Sequence, residues 1–409
     1  MNSALWDVIV VGAGPAGSTT AALLAMRGVR TLVLDKDHFP RFHIGESLLP
    51  AAVEVQQRLG IEPKGDVFNW KSGAQFWCEE TNRVARFDFA EALDGPPRHA
   101  YHVERPQFDT LLRDRARELG ADIRHGVKVT GVDITADGVR VDTDQGSEQG
   151  RYLVDATGQD RFLGKLARSI EPYRHFGKAA SFVHYDGISQ ATLDEFAPHN
   201  DIRVMLVEDG WAWVIPLANR RLSVGLVSRA KGLKETDVVD YVASSKALSR
   251  WTEGAKRSDP RLIGNFSFRN TRTHGARFSC VGDSACFIDP VFSSGVSLAM
   301  LGATALVDKL GPALEAGTEA DPDLCTDSYE QMQRGYATFS ALVYRFYNTH
   351  FARNFILGAP AAGELRPCVT SVLAGDVLRD DNRFQDMLLS SRLARSHSEL
   401  GGVDSEGTA

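Results

Sequence analysis

The clearest signal along the chain is a change of hydrophobic period. Asp7-Val8-Ile9-Val10-Val11 is an almost unbroken apolar run, which predicts a strand buried on both faces. It gives way to an Ala/Leu-rich segment that predicts a helix stopped by Gly28, and Arg30-Thr31-Leu32-Val33-Leu34 predicts the next strand, completing a βαβ unit. A helix is expected around residues 51 to 60. Gly73 to Cys78 and Val84 to Phe89, flanking the polar turn Glu79 to Arg83, predict a hairpin. Arg105 to Gly120 carries Phe108, Leu111, Leu112, Ala116 and Leu119 at helical spacing, and residues 121 to 155 return to strand character. From about 178 to 230 the period is two, with Ile202 to Val207 and a hairpin of Trp211 to Leu217 with Leu222 to Val227 around Asn219-Arg220. That pattern predicts an inserted antiparallel sheet. Residues 276 to 309 return to a strand and then a helix starting near Gly295, and 326 to 395 are helical in pattern with clustered aromatics.

Composition changes this picture little. The 409 residues are 43% apolar, enough for a large core and two or three structural units. The net charge of −7 is spread along the chain, which argues against both a nucleic-acid footprint and a basic membrane patch. No run approaches the ~18 uninterrupted apolar residues of a membrane span. The first apolar strand leaves no room for a secretory signal, so a cytoplasmic location is expected. Cys78, Cys280, Cys286, Cys325 and Cys368 are odd in number and lack C-x-x-C or histidine spacing. They read as reduced core residues, and no metal site is expected.

Candidate chemistry begins at Gly12-Ala13-Gly14-Pro15-Ala16-Gly17, a G-x-G-x-x-G run between the first strand and its helix. Gly12 permits the tight turn, Gly14 lets the backbone approach a pyrophosphate, and Gly17 lets the helix lie close to the strand. Asp35 closes the second strand about 20 residues on, where a carboxylate accepts ribose hydroxyls.

Four separated segments, Gly12 to Gly17 with Asp35, Arg105 within His102 to Asp109, the strand end Asp155 to Gly158, and Gly282-Asp283, together resemble the flavoprotein monooxygenase fold. The resemblance implies an α/β chain with an FAD-binding Rossmann-like domain of the p-hydroxybenzoate hydroxylase type (residues 1–72, 100–177 and 270–320). An inserted antiparallel β-sheet substrate domain (73–99 and 178–269), a C-terminal helical region (321–395) and a disordered tail (396–409) would complete it. FAD is the implied cofactor, with Asp283 on its ribityl chain and Arg105 on its backbone. Gly12, Gly14, Ala16, Gly17, Asp35, Lys36, Arg41, Ser47, Val129, Asp155, Gly158, Pro290, Gly295 and Val296 are the other expected contacts.

Three further segments point to a narrower branch. Trp211-Ala212-Trp213-Val214-Ile215-Pro216 resembles the W-x-W-x-I-P signature of flavin-dependent halogenases, in which Trp211, Trp213, Ile215 and Pro216 would wall a tunnel against organic substrate while admitting a small ion. Lys71, in Trp70-Lys71-Ser72-Gly73-Ala74-Gln75-Phe76, resembles the lysine of that family's K-x-G-x-x-F run. An amine there captures hypohalous acid as a chloramine or holds it by hydrogen bonding, and partial desolvation lowers its pKa. Ser294 and Gly295, at the start of the late helix, would bind chloride or bromide through its positive end. Gly45-Glu46-Ser47-Leu48-Leu49-Pro50 resembles the branch acting on phenolic, pyrrolic and acyl groups, with Glu46 a candidate catalytic residue or a cap for backbone amides. Tryptophan halogenases carry a glutamate where this chain has Phe292, which argues for an already activated substrate.

The resulting expectation is a halogenase supplied with FADH2 by a separate NAD(P)H-flavin reductase, since no second nucleotide fingerprint is present. It would act on a small aromatic or carrier-protein-tethered substrate, with neither nucleic acid nor membrane involved. The alternatives are a hydroxylase or geranylgeranyl-reductase-like enzyme of the same fold that ignores halide, and a non-catalytic flavin-binding module. Tyr344 to Tyr347 with Phe351 and Phe355 would cover the core or line the substrate side.

Overall fold

The computed structural model describes residues 5–390 apart from 174, 231, 348–350 and 359–362. The opening apolar run is the central strand Trp6–Val11, with Val8, Ile9 and Val10 fully buried. A parallel sheet forms around it in the order Phe278–Cys280, Gly146–Asp155, Trp6–Val11, Thr31–Asp35, Asp122–His125. Helices cover it as the βαβ pattern requires: Pro15–Met26 packs against Arg105–Glu118 and against Ser294–Ala316, the 23-residue helix that starts one residue before the expected Gly295.

The second sheet runs Lys256–Arg257, Ala179–Asp186, Arg221–Ser228, Gly210–Leu217, Ile202–Val207, Gly73–Cys78, Arg83–Asp88. All its pairings are antiparallel except one. Ile202–Val207 pairs parallel with Gly73–Cys78, because the early hairpin joins the edge of the later meander rather than folding beside it. The two-residue period gives this sheet two distinct apolar faces. Trp211, Trp213, Ile215, Ala180, Phe182 and Val204 turn towards the nucleotide domain, and Ala212, Val214, Val183, Tyr185, Val224 and Met205 form a separate core under the helices Asp237–Ser244 and Lys246–Trp251.

The short ladder Phe68–Lys71 with Ala100–Val103 joins the two sheets. The chain then ends in helices Thr326–Tyr347, Arg366–Leu373 and Arg383–Ser390. Phe346 and Tyr347 are buried, so that part of the aromatic cluster serves the core. Residues 391–395 of the expected helical region, and the tail expected from 396, lie outside the described residues. No described helix is long and apolar enough to cross a membrane.

Candidate functional site

One cavity of about 750 Å³ runs from the glycine turn to the inner face of the second sheet. Its nucleotide end is made of backbone. Gly12 sits at φ +102°, where a Cβ would lie 2.4 Å from the Ala156 carbonyl oxygen, and a Cβ on Gly17 would lie 1.9 Å from the Gly12 carbonyl oxygen. Only glycine allows this packing, and it points the unpaired amides of the Pro15–Met26 N-terminus at the cavity. Asp35 accepts from the Ala13 amide (2.6 Å) and the Asp37 amide (2.8 Å) while facing the same space. Lys36 closes onto Asp160 beside it.

Further along, Arg105 is held by a two-pronged pair with Asp109, 2.7 Å from Nε and 3.0 Å from Nη2, and donates from Nη1 to the Ile44 carbonyl. Burial pushes the Asp283 carboxyl up to about 6, against a 2.9 Å hydrogen bond from Gln159 Nε2. Gly14, Ala16, Arg41, Ser47, Val129, Gly158, Pro290, Gly295 and Val296 also face the cavity, as expected. Asp155 and Gly17 do not. The Asp155 carboxylate is spent on its own strand end, accepting from the amides of Thr157 and Leu163, and Gly17 serves close packing.

The far end is made of side chains. Trp211, Trp213 and Ile215 face the cavity, whereas strand alternation turns Pro216 to the other side, where its carbonyl accepts from Asn69 Nδ2. The two indoles stand 5.8 Å apart at 47°. Trp213 lies across Gly225 of the neighbouring strand, where a Cβ would come within 2.1 Å of its ring, and donates to Ser223 Oγ. Trp211 donates to the Tyr347 hydroxyl, which donates to Asp289 Oδ2 at 2.8 Å; burial pushes the Asp289 carboxyl up to about 6. Asp289 also accepts from the Val291 amide, fixing the turn through Ser293 (φ 57°) into the long helix. Ser293 and Gly295 face the cavity, but Ser294, expected beside Gly295, does not.

Lys71 is fully buried, not half-desolvated at a strand start, and closes its strand with Nζ donating to Ser47 Oγ (2.9 Å) and to the Leu48 carbonyl (2.8 Å). The Phe89 ring stands 5.3 Å from the amine. Burial pushes its pKa down to about 7, against the opposing pull of Asp201. Lys71 itself does not face the cavity; Ser47 stands between them. Glu46, on the cavity wall, accepts from His184 Nε2 at 2.7 Å.

His184, Gly225, Ser293, Gln159 and Tyr347 are the residues sequence reasoning missed or left undecided. His184 shares a strand with Phe182 at the two-residue period, but only the register that sets it opposite Ser223 places it at the site. Among the described residues no group of His, Cys, Asp and Glu could hold a metal ion, and the five cysteines are free and buried.

The FAD-binding domain family model matches residues 6–339. A flavin-dependent halogenase of Armillaria mellea is 30% identical over 380 residues, covering 83% of this chain and 74% of that one. A 1H-pyrrole-2-carbonyl-[peptidyl-carrier protein] brominase of Pseudoalteromonas luteoviolacea is 30% identical over 340 residues, covering 78% and 80%. Among solved structures, a flavoprotein/dehydrogenase from Cytophaga hutchinsonii superposes with a TM-score of 0.84 at 26% identity, covering 96% of this chain and 99% of that one.

Proposed function

Because this chain belongs to the FAD-binding flavoproteins and, within them, to the flavin-dependent halogenases, we propose that it oxidises chloride or bromide at the wall end of its cavity and uses Lys71 to direct the halogen onto an electron-rich carbon. Bound in reduced form, FAD supplies electrons with which dioxygen oxidises halide to hypohalous acid. The residues at both ends of the cavity suit that cofactor: a glycine cradle for the pyrophosphate, Asp35 for a ribose, Arg105 and Asp283 midway, and the positive end of the Ser294–Ala316 helix at the isoalloxazine.

The observation that supports the reading is the burial of Lys71 directly behind Ser47 of the cavity wall, with the neutral Ser47 hydroxyl and Leu48 carbonyl as its hydrogen-bond partners among the described residues. A lysine held there near pKa 7 presents a substantial fraction of free amine at neutral pH, ready to take up electrophilic halogen. Trp211, Trp213 and Ile215 keep organic substrate from the oxidation site, and Ser47 stands at the handover between cavity and amine. Phe292, where tryptophan halogenases carry a glutamate, leaves that position without a carboxylate to take a proton from an unactivated ring. That favours phenolic, pyrrolic or activated acyl substrates, in line with the carrier-bound pyrrole named for one relative. Reduced FAD would come from a separate NAD(P)H-flavin reductase.

The test supplies reduced FAD, oxygen and bromide with phenols, pyrroles and carrier-bound acyl groups, and reads the bromine isotope doublet in product masses. Lys71→Ala is expected to lower product at least about 100-fold while reduced FAD is still reoxidised by air. Undiminished bromination by that variant would refute the role given to the lysine.

A further inference from the structure

Hypohalous acid formation has a proton requirement that the lysine does not meet. FADH2, O2, halide and one proton give FAD, hypohalous acid and water: the cofactor and the halide each lose two electrons, and the two oxygen atoms gain four. The largely apolar cavity must therefore receive one proton per turnover.

We propose that Glu46 and His184 form the acid that delivers this proton, a role that rests on the halogenase reading above. Glu46 belongs to the loop Gly45-Glu46-Ser47 of the nucleotide domain, and His184 to the strand Ala179–Asp186 of the second sheet. Glu46 is only 4% exposed and faces the cavity, with Oε1 tied to His184 Nε2 and Oε2 buried without a hydrogen-bond partner among the described residues. A buried carboxylate oxygen left unpaired is costly unless it carries a proton or meets one from whatever fills the cavity.

The position fits the chemistry. A Cβ on the adjacent Gly45 would lie 3.9 Å from Val296 in the first turn of the long helix, so the loop that carries Glu46 reaches that turn, and Glu46 lines the same cavity as Gly295 and Val296. On the other side, His184 sits opposite Ser223, the acceptor of the Trp213 indole, and meets the half-exposed Phe42 edge-on at 6.1 Å. The imidazole thus lies between a sealed carboxylate and the solvent side of the wall. The proton leaves from Glu46 Oε2 and the His184 N–H stabilises the carboxylate left behind; a solvent proton taken up at His184 Nδ1 then releases the Nε2 proton to Oε1, and rotation of the carboxyl group brings that proton to the cavity side for the next turnover.

Other titratable groups in the cavity are worse placed. Burial and Arg105 push His43 down to about 4, so it stays neutral, and Asp283 is engaged by Gln159 at the ribityl stretch.

The experiment compares the wild-type chain with Glu46→Gln, His184→Gln and His184→Asn in three measurements. FAD affinity, by fluorescence titration, should stay within about threefold; a loss above about 30-fold in Glu46→Gln would make Glu46 a cofactor ligand and overturn the proposal. The yield of hypobromous acid, caught by a β-diketone trap, against free hydrogen peroxide should fall about 100-fold in Glu46→Gln and about 10-fold in the histidine variants, the range of a lost general acid. An unchanged ratio in Glu46→Gln overturns it. In the cofactor-free chain, a strongly deshielded imidazole N–H proton signal should be present in wild type and absent from every variant; its persistence in Glu46→Gln removes the pair. Wild type that traps no bromine at all would instead count against the halogenase reading itself.

Discussion

The two ends of the cavity are built from different material. At the nucleotide end, six consecutive residues and one carboxylate 22 positions beyond Ala13 supply the geometry, nearly all of it through backbone atoms. At the wall end, Glu46, Lys71, His184, Trp213, Gly225, Asp289 and Tyr347 meet from separate segments of the chain, and side chains do the work. The first end is a local folding problem and the second a tertiary one. They should therefore fail separately.

The largest separation is expected from Gly12→Ala. The new Cβ would lie 2.4 Å from a backbone carbonyl at a φ that L-residues rarely adopt, and neither can give way. FAD affinity should fall at least about 100-fold, equivalent to roughly 3 kcal/mol, as read by fluorescence titration. Near-normal binding would show that the backbone cradle is more plastic than its contacts indicate.

At the other end, Lys71→Met removes a buried cation. Burial depresses the lysine from its usual 10.5 to about 7, so the folded chain bears a cost that is full below about pH 7. The cost shrinks as pH rises and is gone near 10.5, where the unfolded lysine is neutral too. The stability of wild type relative to Lys71→Met should accordingly rise by a few kcal/mol between pH 7 and 10, at about 1.4 kcal/mol per pKa unit. Denaturant midpoints at several pH values would measure it, and a flat difference would mean that the amine stays charged and solvated.

Gly225→Ala tests the wall without touching the cradle. Its Cβ would overlap the Trp213 ring, and overpacking of this kind costs about 1–3 kcal/mol. FAD affinity should stay within about threefold while hydrogen peroxide escapes at the expense of halogenated product, both measured per reduced FAD consumed. Equal losses of cofactor and coupling would merge the two ends into one cooperative unit.

The same division explains what could be read from the sequence. Strand, glycine turn, helix and acid lie within 30 residues, and local geometry sufficed to place Gly12, Gly14 and Asp35 at the cavity. Strand alternation likewise puts Trp211, Trp213 and Ile215 on one face, though it also turns away Pro216, which the motif had grouped with them. His184 was invisible because nothing in its own strand says that Glu46, 138 residues earlier, will meet it. Gly225 looked like any strand glycine until the register set it under an indole. Asp155 differs for the opposite reason: its strand-end position suggested a ligand, but it does not line the cavity and its carboxylate accepts from the turn that follows.

The smallest effect is the most discriminating. Tyr347→Phe deletes one hydroxyl that accepts from the Trp211 indole and donates to Asp289, at a cost of about 1 kcal/mol for a buried hydrogen bond. Asp289 keeps its bonds from Gly177 and Val291, so the turn into the long helix should persist. Trp211 loses its hydrogen bond to Tyr347, which links the wall to that turn. If wall and halide turn are coupled, halide KM should rise severalfold while FAD affinity and the rate at saturating halide hold, because the anion site shifts but the oxidation chemistry does not. A fall in that rate with KM unchanged would place the hydroxyl in the chemistry itself, and the C-terminal helix would then belong to the site rather than merely brace it.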